Sequence, residues 1–222
     1  SIGLGFAIPV NQAQDGADAR PTVAVMYYNN GAAGRQAESE PLSKGLADML
    51  ISQLAANTGI RVVERDQLQH LLEEQDLAKD GRVDQQTAVQ VGKVLGARHM
   101  IFGGFVTDGR GNMQIHARAV NVESSRIEHT ESVSGKTDDF MALVSTLADR
   151  LNRGLKLPDV PRAVREASAE KAKKLPFQMA MLYARGISEK DAGNSVRAVE
   201  YFRRVVDAFP QYEPGRCELD KL

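Results

Sequence analysis

Four histidines, two paired carboxylates and one glycine-containing hairpin are the features of this 222-residue chain on which chemistry would have to be built. His70, His99, His116 and His129 fall on one helical pattern and three strand patterns, and none has a second ligand at the i, i+4 spacing that a helical metal site uses. They read as structural or solvent-facing. Glu73-Glu74 and Asp138-Asp139 pair acids in sequence, but each pair lies on a polar helical face or at a helix start, where negative charge matches the helix dipole. Gly109-Arg110-Gly111 sits inside a tight return between strands and does not open a helix, so it lacks the phosphate cradle of a nucleotide loop. Gly-x-Ser-x-Gly is absent. The single cysteine, Cys217, leaves no internal disulfide and no paired thiolate ligands. The residue types therefore predict a chain that is not an enzyme, with no cofactor and no metal.

Charge and hydropathy narrow the partners further. With 28 basic and 29 acidic residues, the chain has no broad positive field for a nucleic-acid backbone. No stretch approaches the roughly 20 apolar residues of a membrane-spanning helix. Neither a nucleic-acid nor a membrane partner is favoured.

The elements that position these residues follow from periodicity. Thr22 to Tyr28 is a β-branched and aromatic run closed by Asn29-Asn30-Gly31, which reads as a buried strand. Leu42, Leu46, Met49, Leu50 and Leu54 recur at three and four and mark a helix. A short strand at Ile60 to Val63 is followed by a helix on Leu68, Leu71 and Leu72 running to about Lys79, stopped by Asp80-Gly81. Asp84 predicts the N-cap of a further helix that ends at Gly96. Arg98 to Val106 reads as a central strand covered on both faces, and Met113 to Val122 and Arg126 to Ser134 as two more. Pairing Val122 with Ile127 would set Arg118 opposite Glu131. Asp138 predicts the cap of a last helix carrying Phe140, Leu143, Leu147 and Leu151. The fold class expected is α/β, a mixed sheet with an antiparallel three-strand end, flanking helices and a C-terminal α-helical hairpin. Val23, Val25, Leu46, Leu50, Leu72, Ile101 and Leu147 are expected inside.

Four segments follow: an N-terminal apolar extension over 1–20, an α/β domain over 21–155, a Pro-bounded linker over 156–161 and a helical region over 162–222. In the extension, Ile2, Leu4, Phe6 and Ile8 alternate with small residues, and Ala17-Asp18-Ala19 has the spacing of an export cleavage site. Two readings stand: a signal-peptide remnant, or a mature arm that contacts a neighbouring subunit. Lys171, Lys173 and Lys174 read as a solvated helix face.

Three motifs of the α/β domain resemble the curli secretion channel (CsgG-like) family and the related TolB N-terminal fold. They are Ile60-Arg-Val-Val-Glu-Arg65 followed by Leu68 and Leu71-Leu72-Glu73-Glu74-Gln75; Val91-Gly-Lys-Val-Leu-Gly-Ala97 leading to Phe102-Gly103-Gly104; and Ala119-Val-Asn-Val122. The resemblance covers Pro21 to Leu155 in matching order. It implies an envelope scaffold, periplasmic and associated with the outer membrane, that forms a homo-oligomeric ring or adaptor for protein export or appendage assembly. The alternative it implies is a monomeric binding module that regulates an envelope enzyme such as a peptidoglycan synthase. Ser125 departs from the family, which usually has Gly in that hairpin, and no N-terminal Cys precedes the apolar segment for a lipid anchor. In the helical region, Gly186, Ala198, Phe202 and Pro210 resemble one tetratricopeptide repeat (TPR), with Leu182 where Trp usually stands. Leu182, Phe202 and Tyr212, together with Ile2, Leu4, Phe6 and Ile8, are the candidate protein-interface residues. A lone repeat should lean on the helix from Pro161 to Leu175, on a neighbour, or on further chain.

Overall fold

The computed structural model describes residues 18–31, 36–74, 83–108, 110–172 and 175–222. In chain order the elements are β1 (Thr22–Asn30), α1 (Gln36–Ser39), α2 (Pro41–Ala55), β2 (Arg61–Val62), α3 (Arg65–Glu74), α4 (Gln85–Leu95), β3 (His99–Thr107), β4 (Asn112–Asn121), β5 (Arg126–Lys136), a 3-10 turn (Thr137–Asp139), α5 (Phe140–Gly154), α6 (Arg162–Ala172), α7 (Phe177–Asp191), α8 (Ser195–Ala208) and α9 (Glu213–Asp220). One five-stranded sheet runs in the order β2-β1-β3-β4-β5, with β2, β1 and β3 parallel and β3, β4 and β5 antiparallel. This is the mixed sheet the pattern predicts, and all seven residues expected inside are buried.

Alternation along the strands sorts the interior into two layers. Val23, Val25, Ile101, Ile115 and Ala117 face α2 and α5, whereas Ala24, Met26, Met100, Phe102 and Val120 face α3 and α4. A bulge between Val25 and Tyr28 resets β1, so that Tyr28 returns to the α2 side. Helix ends follow their chemistry. Asp84 accepts the backbone N–H of Thr87 at 2.8 Å, and Gly96 closes α4 at φ 63°. Pro41 opens α2 in its first turn, where a missing N–H costs nothing.

Three expectations are corrected. The β4–β5 register pairs Val120, not Val122, with Ile127, and sets Arg118 against Thr130 and Glu131 against Ala117. The cause is a four-residue turn over 122–125 together with a bulge at Glu128. That extra residue sends its carboxylate to His99 Nδ1 at 2.8 Å and accepts Asn121 Nδ2 at 2.9 Å. Asp138 does not cap α5. A 3-10 turn leads into the helix, with no side-chain cap from Asp139, the residue at its N-cap. Finally, the C-terminal hairpin leans on α2, where a Cβ on Gly45 would lie 2.4 Å from the Ala184 Cβ of α7. Leu42, Leu46, Ala180, Tyr183, Ile187 and Phe202 share one buried cluster with the sheet. The expected stop at Asp80-Gly81, and residues 1–17, fall outside the described residues.

Ser125 adopts φ 57°, the left-handed region that a side chain disfavours by about 1–2 kcal/mol and that glycine enters freely. Because Ser125 contributes its carbonyl to Gln85 Nε2, the known contact survives loss of the side chain. Ser125→Gly is expected to raise stability by about 0.5–1 kcal/mol after the added chain entropy of glycine is discounted. A lowered thermal midpoint would contradict this.

Candidate functional site

The densest polar arrangement lies where α2 and α3 meet α7 and α9. Arg65, at the start of α3, has a side chain only 2% exposed. Its Nη1 donates to both Asp191 carboxylate oxygens, at 2.9 and 3.0 Å, and its Nη2 donates to Asp66 at 2.6 Å. Nε faces Asp48 Oδ1 at 3.5 Å as an ion pair, without a hydrogen bond. Asp48 Oδ2 accepts the Tyr183 hydroxyl at 2.5 Å. Lys44 reaches Asp191 at 2.7 Å, and Lys190 bridges Glu218 at 2.6 Å and Asp66 at 3.1 Å. Lys221 closes the array on the same two acids. Among the described residues the array thus sets Lys44, Arg65, Lys190 and Lys221 against Asp48, Asp66, Asp191 and Glu218. Four charges of each sign leave it neutral.

Burial shapes the protonation of these groups. It pushes Asp48 up to about 6, outweighing the Tyr183 hydrogen bond and the attraction of Arg65. At Asp66 burial acts the same way but loses to Arg65, Lys221 and Lys190, and the carboxyl falls below its ordinary value. The Tyr183 and Tyr212 hydroxyls are pushed up by burial and by the Asp48 charge. Their rings meet edge to face at 5.3 Å, and the Tyr183 ring lies 5.6 Å from that of Phe202.

Since Asp48 holds its proton to a higher pH when folded than the usual 3.8, its contribution is fully present below pH 4 and is lost as pH rises through about 6. Asp48→Asn keeps an acceptor for Tyr183 and removes the buried charge. Its stability advantage over the wild type should be largest at pH 7 and shrink between pH 6 and 4. His99 and His116, which burial lowers, act in the opposite sense in both proteins and cancel in the difference. Urea midpoints at pH 7, 6, 5 and 4 provide the check, and a constant gap would count against a buried titrating Asp48.

The residues singled out from sequence are dispersed. His70 is exposed on α3 beside Glu74, His99 pairs with Glu128, and His129 pairs with Glu131 at 2.9 Å. Among the described residues no group of three or more His, Cys, Asp or Glu is placed to hold a metal ion. Leu182 and Phe202 lie in the chain's own core, and the hydroxyl of the partly exposed Tyr212 is buried without a hydrogen-bond partner. Ile2, Leu4, Phe6 and Ile8 fall outside the described residues, as do the side chains of Lys171, Lys173 and Lys174. The ionic array was missed, although one signal was present. Asp191 ends α7, where a negative charge opposes the helix dipole and needs another partner.

Residues 7–110 match the family model of CsgG, the curli production assembly/transport component. The CsgG-like stretch contains β1 to β3 and the helices between them, and stops at the turn before β4. Solved structures similar to the chain include the LpoB C-terminal domain from Escherichia coli, at 18% identity and TM-score 0.40, over 55% of this chain and 87% of that one. The LpoB C-terminal domain from Salmonella enterica is similar at 16% identity and TM-score 0.39, over the same shares. Lipoprotein GNA1162 from Neisseria meningitidis is similar at 13% identity and TM-score 0.40, over 60% of this chain and 98% of that one. No curated protein matches the chain.

Proposed function

We propose that the chain is a non-catalytic scaffold of the bacterial cell envelope, a periplasmic ring or adaptor subunit at the outer membrane that serves protein export or appendage assembly. The CsgG match over residues 7–110 carries this reading. The connections support an adaptor over a pore: β3 and β4 are joined by residues 108–111, and β5 runs straight into the 3-10 turn at Thr137. A membrane hairpin needs two strands of about 9–11 residues. No helix among the described residues is long and apolar enough to cross a membrane. The 21–155 unit acts in this reading as the CsgG-like body, and the 162–222 unit as a single TPR-like hairpin.

One observation favours the alternative of a monomeric module that regulates an envelope enzyme. The hairpin spends its apolar face on α2 of its own chain, with Ala198 and Phe202 fully buried, so it needs no neighbour to be covered. Mass measured in solution by light scattering separates the two. A closed oligomer of several subunits is the expected result, and a concentration-independent monomer would replace the ring with the regulatory module.

A further inference from the structure

Where the turn joining β3 to β4 and the 3-10 turn meet the start of α7, a cleft of about 440 Å3 opens along the seam between the sheet and the C-terminal hairpin. Its size is that of a ligand pocket, and such pockets collect at seams of this kind. Phe177, Met179, Met181 and Leu182 give it an apolar wall. The wall is firmly backed, since Phe177 meets Phe140 edge to face at 5.5 Å and Leu182 is buried in the main core. Met179 and Met181 are only partly buried, and thioether side chains adapt to the shape that lies against them.

Two cations line the same cleft. Arg185 follows Gln178 and Met181 at helical spacing and shares their side of α7, and Arg204 comes across from α8. Both are exposed, and among the described residues neither makes a hydrogen bond or an ion pair. The acids in the lining are committed. Asp108 accepts the backbone N–H groups of Arg110 and Asn112 at 2.9 and 2.8 Å and Asn112 Nδ2 at 2.6 Å, and Glu38 has an interaction of its own. The two guanidinium groups are therefore the charge that the cleft offers to a ligand, beside the Thr107 hydroxyl and the Gln178 amide.

We infer that the cleft binds a peptide segment of a partner protein in which an acidic side chain stands beside an aliphatic one, the carboxylate on Arg185 and Arg204 and the aliphatic group on Met179 and Met181. A guanidinium presents a planar fork of donors that matches a carboxylate, and the apolar wall gains by leaving water. The amide of Gln178 and the hydroxyl of Thr107 suit the backbone of a chain that passes through. The choice of a peptide as ligand rests on the protein-binding reading above. Binding is measured on the chain alone, so it can fail while the oligomer is found, or hold when it is not.

The seven methionines make a direct test available. With methyl-labelled methionine, Met179 and Met181 report from the cleft by NMR, while Met26, Met49, Met100, Met113 and Met141 are buried and serve as internal controls. The probe is a capped pentapeptide with glutamate between two leucines, and its counterpart carries glutamine there. The glutamate peptide should shift the Met179 and Met181 methyl signals saturably, and the glutamine peptide should bind at least about tenfold more weakly. Arg185→Gln together with Arg204→Gln should cause the same loss with the thermal midpoint unchanged. Arg203→Gln, exposed on α8 but outside the cleft, should bind as the wild type does. Equal binding of the two peptides, binding that survives the double substitution, or an equal loss with Arg203→Gln would overturn the assignment. So would silence of both signals at about 10 mM peptide.

Discussion

Arg65→Met should lower the stability of the chain by about 3–5 kcal/mol, the largest single-residue loss we expect. The guanidinium is 2% exposed and holds Asp191, itself 4% exposed, through two hydrogen bonds while facing Asp48 and Asp66. Removing it takes from Asp48 its ion-pair partner and leaves Asp191 to Lys44 alone, and an uncompensated buried charge costs far more than an intact pair contributes. Set against total stabilities of about 5–15 kcal/mol, such a loss brings the protein close to unfolding. The cause can be separated from lost packing. Adding Asp48→Asn and Asp191→Asn to Arg65→Met removes the stranded charges and should restore part of the stability, since a whole ionic group can be replaced with little net change where half of one cannot. Urea denaturation of the three proteins decides the matter, and a loss below about 1 kcal/mol for Arg65→Met would sink this account of the array.

Gly103→Ala should cost about 3 kcal/mol or more, at the upper end of overpacking effects. A Cβ there would lie 2.0 Å from the carbonyl oxygen of His116 and 3.0 Å from the Ala117 Cα. Both belong to the backbone of β4, to which β3 is paired, so relief requires the ladder itself to part. Gly135→Ala serves as the contrast. The nearest atoms to its Cβ would be those of the Leu143 side chain, from 3.0 Å, and a side chain can turn aside. Thermal denaturation should rank Gly103→Ala well below Gly135→Ala, and equal midpoints would show that the β3–β4 approach is not tight.

These two positions mark what could be read in advance. Gly103 was legible because a glycine pair inside an apolar strand announces a close approach, and the apolar run from Arg98 to Val106 announced a strand covered on both faces. Asp84 and Gly96 fixed the limits of α4 by local chemistry alone. The bulge at Glu128 was not legible, because its cause is a contact with His99, 29 residues away, that no local pattern encodes. The ionic array was hidden for the same reason. Arg65 and Asp66 look like the polar start of a helix, and their partners Asp191, Lys190 and Lys221 lie more than a hundred residues further on. Gly45 carried the clue to the docking of α7 on α2, since a glycine beside a leucine stripe admits a second helix, but nothing local said which helix would come.

That docking has a consequence for the order of events during synthesis. α2 ends at Ala55, whereas the α7 helix that packs on it begins at Phe177, so an apolar face that leaves the ribosome early is among the last to be sealed. At about 5–20 residues per second the interval is several seconds or more, long enough for α2 to meet other chains while the sheet is still incomplete. Contacts of such long range slow folding, because the loop between them must close before any burial rewards it. The nascent chain therefore passes through a stage in which an exposed stripe of Leu42, Leu46, Met49 and Leu50 invites a chaperone, and release from that chaperone has to wait for the last helices to arrive.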